Sequence, residues 1–345
     1  MKNTWKQRRY KLEVWGCEFL AKTIPRLPRR SCVALGQLTG ALGYWFDRRG
    51  RSVALENLRI VFGYDLPDKQ LQLIAMRSYQ NFARTMLDLF WSPRVDKTNY
   101  HMYLEVNGFK EALERSRLER RGVTFVCFHH GAWEWAPIAA ESAGMQVHIV
   151  AETFKNKELT DVFVRLRSRG FHNVIPQENA FLKLLKRSLK GEHTALLGDL
   201  TVQPSQAAVI LRTFQRDGEP LEICATRMHA ILAKRGRSIV VPVFSHPLPD
   251  GRCRVTALEP MEISEDELEE TVTQRTWDIL EKQILKCPEL WLWAYKHLRY
   301  RPRAASRNYP DYAREFGPFE SIRESSLNIR ESSLKNSPPT NVSNP

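Results

Sequence analysis

A chain of 345 residues, 43% of them hydrophobic, has enough apolar mass for a packed core and room for one large domain with an accessory segment, or for two modest domains. Its 52 Lys and Arg against 39 Asp and Glu leave a net charge of +13, so its partners are expected to be anionic: phosphates, acidic carrier proteins, membrane headgroups or nucleic acid. The six cysteines, Cys17, Cys32, Cys127, Cys224, Cys253 and Cys287, are scattered with no Cys-x-x-Cys pair, which argues against a disulfide scaffold or a cysteine metal site and for reduced thiols.

The basic character is concentrated at the start, because residues 1–60 carry thirteen Lys and Arg against four Asp and Glu. Leu12, Trp15, Phe19 and Leu20 recur there at near-helical spacing, and Ser31 to Phe46 is uncharged between Arg30 and Asp47. A membrane-spanning helix needs about 20 apolar residues. This run is shorter and includes Ser, Gln and Thr, so an interfacial helix flanked by Arg29, Arg30, Arg48, Arg49 and Arg51 fits better than a true span or an ordinary core helix. Glu13, Glu18, Pro25 and Pro28 interrupt what would be a cleavable signal, so the bulk of the protein is expected to face the cytoplasm.

Residues 1–100 read as helical, with breaks at Pro25–Pro28, near Gly63–Pro67 and at Pro93. Apolar residues from Leu71 to Leu89 repeat at helical intervals and predict a packed amphipathic helix over 69–89. From Val123 the pattern changes. Strand-like runs at 123–128, 147–150, 173–175, 195–197 and 238–244 alternate with helical stretches, which predicts an α/β fold with a mixed, largely parallel sheet flanked by helices. Such sheets carry their chemistry just beyond the carboxyl ends of the strands. Residues 253–261 read as another strand and 265–286 as a long helix. The expected organisation is a helical membrane-associating region over 1–100, an α/β core over 101–303 and a disordered polar tail over 304–345, in which IRESSL occurs twice, at 322–327 and 329–334.

The stretch VTFVCFHHGAWEWAP, Val123 to Pro137, runs a hydrophobic strand into His129, His130 and Gly131, with a helix starting near Trp133. On a continuous helix His129 and Glu134 would face different sides, so a strand-turn-helix passage is needed to bring them together. A neutral imidazole at His129 suits removal of a proton from an acceptor hydroxyl as it attacks a thioester, with the Glu134 carboxylate expected to orient the ring. Gly131 permits the tight turn, and amides at the helix start are candidates for receiving an oxyanion. Spacing alone also fits a His at a strand end and a Glu in a first helical turn placed for ordinary structural reasons. His130 is expected to pack or to touch substrate, and Trp133 and Trp135 read as core before pocket wall.

FHHGAWEW resembles the His-x-Gly-Asn-Trp-Glu block of the lipid A biosynthesis late acyltransferase (lauroyl/myristoyl acyltransferase) family, with Ala132 in the Asn place. Further blocks follow in the same order: ALENLRIVFG at 54–63, SYQNFARTMLD at 78–88, RLRSRG at 165–170, LLGD at 196–199 and PELWLWAYKHLRYRPR at 288–303. Glu134, where glycerol-phosphate acyltransferases usually carry Asp, favours the lipid A branch.

The resemblance implies a glycerolipid acyltransferase-like fold and an O-acyltransferase that moves a fatty acyl chain from an acyl carrier protein thioester, or from acyl-CoA, to a hydroxyl of a phosphorylated lipid A precursor in lipopolysaccharide biosynthesis. It implies no metal or redox cofactor, no nucleic acid, and residence at the cytoplasmic face of the bacterial inner membrane, peripherally or by one short N-terminal anchor. It places Arg165 and Asp199 in the active site with His129 and Glu134. Arg165 would clamp a phosphate, and Asp199 would orient a donor or Arg165. Gly131 and Arg167 join the candidate substrate-binding residues, although a surface salt bridge is the default for Arg167. The loop after Asp199, LTVQPSQAAVILRTFQRDGEP, departs from the family pattern and is expected to shape acceptor or chain-length selection. A phosphatidylinositol mannoside as the acceptor, with acyl-CoA as donor, is the alternative, and a non-catalytic basic binding protein the third reading.

Overall fold

The computed structural model describes residues 2–178, 180–203, 208–303 and 305–315. Helices α1 (Lys2–Thr23), α2 (Arg29–Phe46), α3 (Arg48–Phe62) and α4 (Asp68–Trp91) come first, α4 covering the amphipathic segment expected there. Proline sets the starts of two of them, Pro28 before α2 and Pro67 before α4. Asp47 closes α2 and caps α3 by accepting from the Gly50 amide at 2.9 Å.

The uncharged run lies in α2, and it serves two surfaces. One face packs against α4 so closely that a Cβ on Gly40 would stand 2.3 Å from the Gln80 Cα, which only glycine tolerates. The opposite face leaves Leu38, Leu42, Trp45 and Phe46 exposed. Among the described residues no helix is long and apolar enough to cross a membrane.

The sheet is built from β1 (Leu104–Asn107), β2 (Val123–Cys127), β3 (Val147–Ala151), β4 (Asn173–Pro176), β5 (His193–Leu197), β8 (Ile239–Pro247) and β9 (Cys253–Ala257), in the order β1-β9-β8-β2-β5-β3-β4. Neighbours from β8 to β4 are parallel, β9 is antiparallel to β8, and β1 runs parallel to β9. This is the mixed, largely parallel α/β sheet expected from the alternation of strands and helices. Every residue of β2 is buried, as a central parallel strand requires.

Successive β2 side chains enter different cores. Phe125 and Cys127 pack with Phe109 of α5 (Phe109–Glu119), Ile138 of α6 (Ala136–Ser142), Val162 of α7 (Lys157–Ser168), and Phe90 and Trp91 of α4. Val126 and Phe128 pack on the other face with Leu184 of α8 (Ala180–Ser188), Leu232 of α9 (Met228–Lys234) and Trp277 of α10 (Glu269–Lys286), joined by Leu58 and Leu71 from the N-terminal helices. The N-terminal helices thus share both cores with the sheet.

Two features differ from expectation. Much of the divergent loop after Asp199 is an antiparallel hairpin, β6 (Ala208–Arg216) and β7 (Glu219–Thr226). Asp217 and Gly218 turn it with φ of 50° and 83°, and Asp-Gly between β-rich runs is a strong hairpin signal. Glu281 of α10 anchors it by accepting from the Phe214 amide at 2.9 Å and the Thr213 hydroxyl at 2.5 Å. Residues 305–315, placed in the tail, are held on the fold: Tyr309 Oη accepts from the Glu222 amide at 2.8 Å, and Tyr312 Oη donates to Asn57 Oδ1. The IRESSL copies lie outside the described residues.

Candidate active site

β2 and β5 are parallel neighbours whose register pairs Cys127 with Leu197. Two residues further on, both chains have left the sheet at its carboxyl edge, where β2 delivers His129 and β5 delivers Asp199. The His129 ring Nδ1 lies 2.8 Å from Asp199 Oδ1, and the His129 amide donates to Asp199 Oδ2 at 3.0 Å. Trp291 Nε1 donates to the same Oδ2 at 2.8 Å. Asp199 is 1% exposed. Burial alone would raise its carboxyl, but the charge and hydrogen bond of His129, with help from Trp291, hold it below the usual carboxylate range.

An ionised Asp199 accepts only, so His129 Nδ1 carries the proton it donates and Nε2 keeps its lone pair. That is the tautomer of a general base. The carboxylate in contact with the imidazole is thus that of Asp199 and not, as expected, that of Glu134. Glu134 stands in the short 3-10 turn Trp133–Trp135 and meets Arg167, whose Nη2 and Nε donate to Glu134 Oε1 at 2.6 and 3.2 Å. Both side chains are mostly buried, at 6% and 19% exposure.

Arg165 takes a different path. It is 58% exposed and pairs with Glu18 of α1 at 2.8 Å. Residues two apart on a helix are rotated by about 200°, so with Arg167 turned inward Arg165 must face outward. The expected phosphate clamp at Arg165 is not assembled with His129, whereas Arg167, for which a surface bridge was the default, lines the same cavity as His129 and Glu134.

Gly131 makes the turn with φ of 67°, and a Cβ there would fall 1.6 Å from the Ser245 carbonyl oxygen. Its amide donates to Leu290 O at 2.9 Å and that of Ala132 to Ser245 O at 3.0 Å. These two amides of the turn are thus committed to the fold. His130 packs, its Nε2 lying 3.0 Å from Cys287 O, and burial pushes its ring down to about 4. Trp135 is core, its indole donating at 2.7 Å to Asp88, which also holds Arg29 of α2. Trp133 is a pocket wall, edge-on to the His129 ring at 5.1 Å.

A cavity of about 320 Å³ opens beside these residues. Apart from the site itself its lining is mostly apolar, with Phe125 and Cys127 of β2, Pro137 and Ala140 of α6, and Val147 and Ile149 of β3, and with Glu152, Gln177 and Thr226 as its other polar residues. It reaches Phe109, whose ring lies 5.2 Å from that of Phe125. Phe125 precedes His129 by four residues, a distance of roughly 13 Å along an extended strand. The arrangement can accept a long apolar chain with its reactive end at His129.

Three features eluded the sequence: the partner of His129, the partner of Glu134 and the contact of Trp291 with Asp199. The first had a signal, since in parallel strands paired at a constant offset of 70 residues the two positions after the strand ends must also meet.

A model of the family described as bacterial lipid A biosynthesis acyltransferase matches residues 2–300. The lipid A biosynthesis lauroyltransferase of Escherichia coli (strain K12) is 22% identical over 293 residues, which cover 83% of this chain and 91% of that protein.

Proposed function

Since the chain belongs to the bacterial lipid A biosynthesis acyltransferase family and is an acyltransferase, we propose that it moves a fatty acyl chain from a thioester to a hydroxyl of a phosphorylated lipid A precursor, with His129 as general base. The observation that carries this reading is the His129–Asp199 pair, whose imidazole lines a mostly apolar cavity. Nε2 of His129 takes the proton of the acceptor hydroxyl as its oxygen attacks the thioester carbonyl. The tetrahedral intermediate collapses by breaking the carbon–sulfur bond, and the imidazolium returns the proton to the departing thiolate. Asp199 stabilises that imidazolium and keeps the ring in its tautomer. Arg167, aimed by Glu134, offers its remaining guanidinium N–H donors at the cavity wall for the developing oxyanion or a phosphate.

The donor is an acyl carrier protein thioester, and the protein works at the cytoplasmic face of the inner membrane, attached peripherally. Trp5, Leu12, Trp15 and Phe19 of α1 and Leu38, Trp45 and Phe46 of α2 are exposed among the arginines and lysines of the first 60 residues, the composition of an interfacial surface. Purified protein supplied with acyl carrier thioesters of several chain lengths, or with acyl-CoA, and a tetraacyl lipid A precursor should yield a product heavier by one acyl chain. Transfer to a phosphatidylinositol mannoside and not to the lipid A precursor would overturn the acceptor. Transfer from acyl-CoA alone would overturn the donor.

A further inference from the structure

The geometry points to Trp291 as a positioning residue of the reaction: its indole N–H fixes the Asp199 carboxylate that orients His129. This rests on the general-base reading of His129 and deepens it. The block Pro288 to Trp293 wraps the turn that carries His129. Gly131 N donates to Leu290 O at 2.9 Å, Leu292 N donates to His129 O at 3.2 Å, and Asn81 Nδ2 bridges the two segments by donating to Gly131 O at 2.9 Å and Leu290 O at 3.0 Å. Within this frame Trp291 is 1% exposed and sends its single donor to Asp199 Oδ2. His297 stacks on the indole at 3.8 Å and donor Ser78 holds the Trp291 carbonyl, so the N–H has little freedom to aim elsewhere.

The consequence is chemical as well as steric. Asp199 Oδ2 receives two N–H groups, from the His129 backbone and from Trp291, which leaves Oδ1 for the imidazole. A donor to a carboxylate favours its ionised form, so the indole lowers the proton affinity of the Asp199 carboxylate that faces His129. Removing the donor must raise it. The titratable groups around the pair are Cys127 and His130 beside it, Tyr295 and His297 from the C-terminal block, and Glu134, Glu152 and Arg167 from the cavity wall. Burial pushes His130 and His297 down to about 4 and Cys127 up to about 12, so these three stay uncharged around neutral pH.

The test is the pH profile of acyl transfer by Trp291→Phe. Its acidic limb should move to higher pH by about one unit, with kcat lowered roughly tenfold and KM within twofold of the parent. Should Trp291→Phe fail to fold, benzothienylalanine placed at position 291 keeps the volume and removes only the N–H. In an Asp199→Asn background either replacement should cost less than threefold, because its effect runs through Asp199. An unshifted acidic limb, or the full tenfold loss repeated on Asp199→Asn, would assign Trp291 to packing alone. Failure of the general-base reading looks different: Asp199→Asn itself would then retain activity.

Discussion

His129 and Asp199 stand 70 residues apart in the chain, yet each lies two residues past the end of one of two register-matched parallel strands, with Nδ1 of the ring 2.8 Å from Oδ1 of the carboxylate. Asp199→Asn keeps the shape and changes the chemistry. An amide that turns its NH2 toward Nδ1 selects the wrong tautomer and cannot stabilise the imidazolium. Acyl transfer should fall on the order of 10³-fold with the melting temperature changed by only a few degrees, measured on the purified variant by product formation and calorimetry.

The two arginines of α7 separate a buried ion pair from an exposed one. Glu134→Ala leaves the Arg167 guanidinium without its carboxylate in a mostly buried position, and such an uncompensated charge costs about 3 kcal/mol. Arg165→Ala removes a pair that is 58% exposed on the arginine side and should cost less than ~1 kcal/mol, with acyl transfer unchanged. Denaturant titration of both variants gives the comparison, and equal losses would contradict the assignment of Arg167 to the site.

Stability should fall in acid for a reason separate from the carboxylates. Burial pushes His130, His229 and His297 down to about 4, and among the described residues neither ring nitrogen of His229 has a hydrogen-bond partner. Unfolded histidine titrates near 6.5, so between about pH 6.5 and 4 the unfolded chain binds more protons than the folded one. Stability is therefore fully present above that window and is lost as pH falls through it, by up to about 1.4 kcal/mol per pH unit for each histidine. His229→Leu should flatten this slope by up to about 1.4 kcal/mol per pH unit, read from unfolding free energies across the window, without lowering acyl transfer.

Gly131→Ala should abolish soluble folded protein. Its φ of 67° is strained for alanine, and the added Cβ would collide with the Ser245 carbonyl at 1.6 Å, where backbone cannot yield. Recovery of a variant with parental melting temperature would contradict the turn described.

The sheet, most of its strands and the α4 helix were legible because buried parallel strands read as β-branched runs and α4 as an apolar repeat. The residues that meet around His129 were legible as a set but not as a wiring. His129, Glu134, Arg167 and Asp199 all appear in sequence motifs, yet who holds whom depends on register and helix phase. Glu134 is near His129 in the chain and Asp199 is not, so local spacing pointed to Glu134, whereas the carboxylate in contact with the imidazole is that of Asp199. Arg165 drew attention over Arg167, and only the packing of α7, with Val162 and Leu166 buried, decides which of them turns inward. The hairpin at 208–226 was missed although Asp217–Gly218 announced its turn.

The most direct measurement is acyl transfer by His129→Ala, using an acyl carrier thioester and a tetraacyl lipid A precursor, on protein shown by calorimetry to be folded. A base that removes the acceptor proton in the transition state contributes roughly 10²- to 10⁴-fold, so the rate should drop by that factor with thioester binding retained. A folded His129→Ala variant that transfers within tenfold of the parent rate would contradict the account.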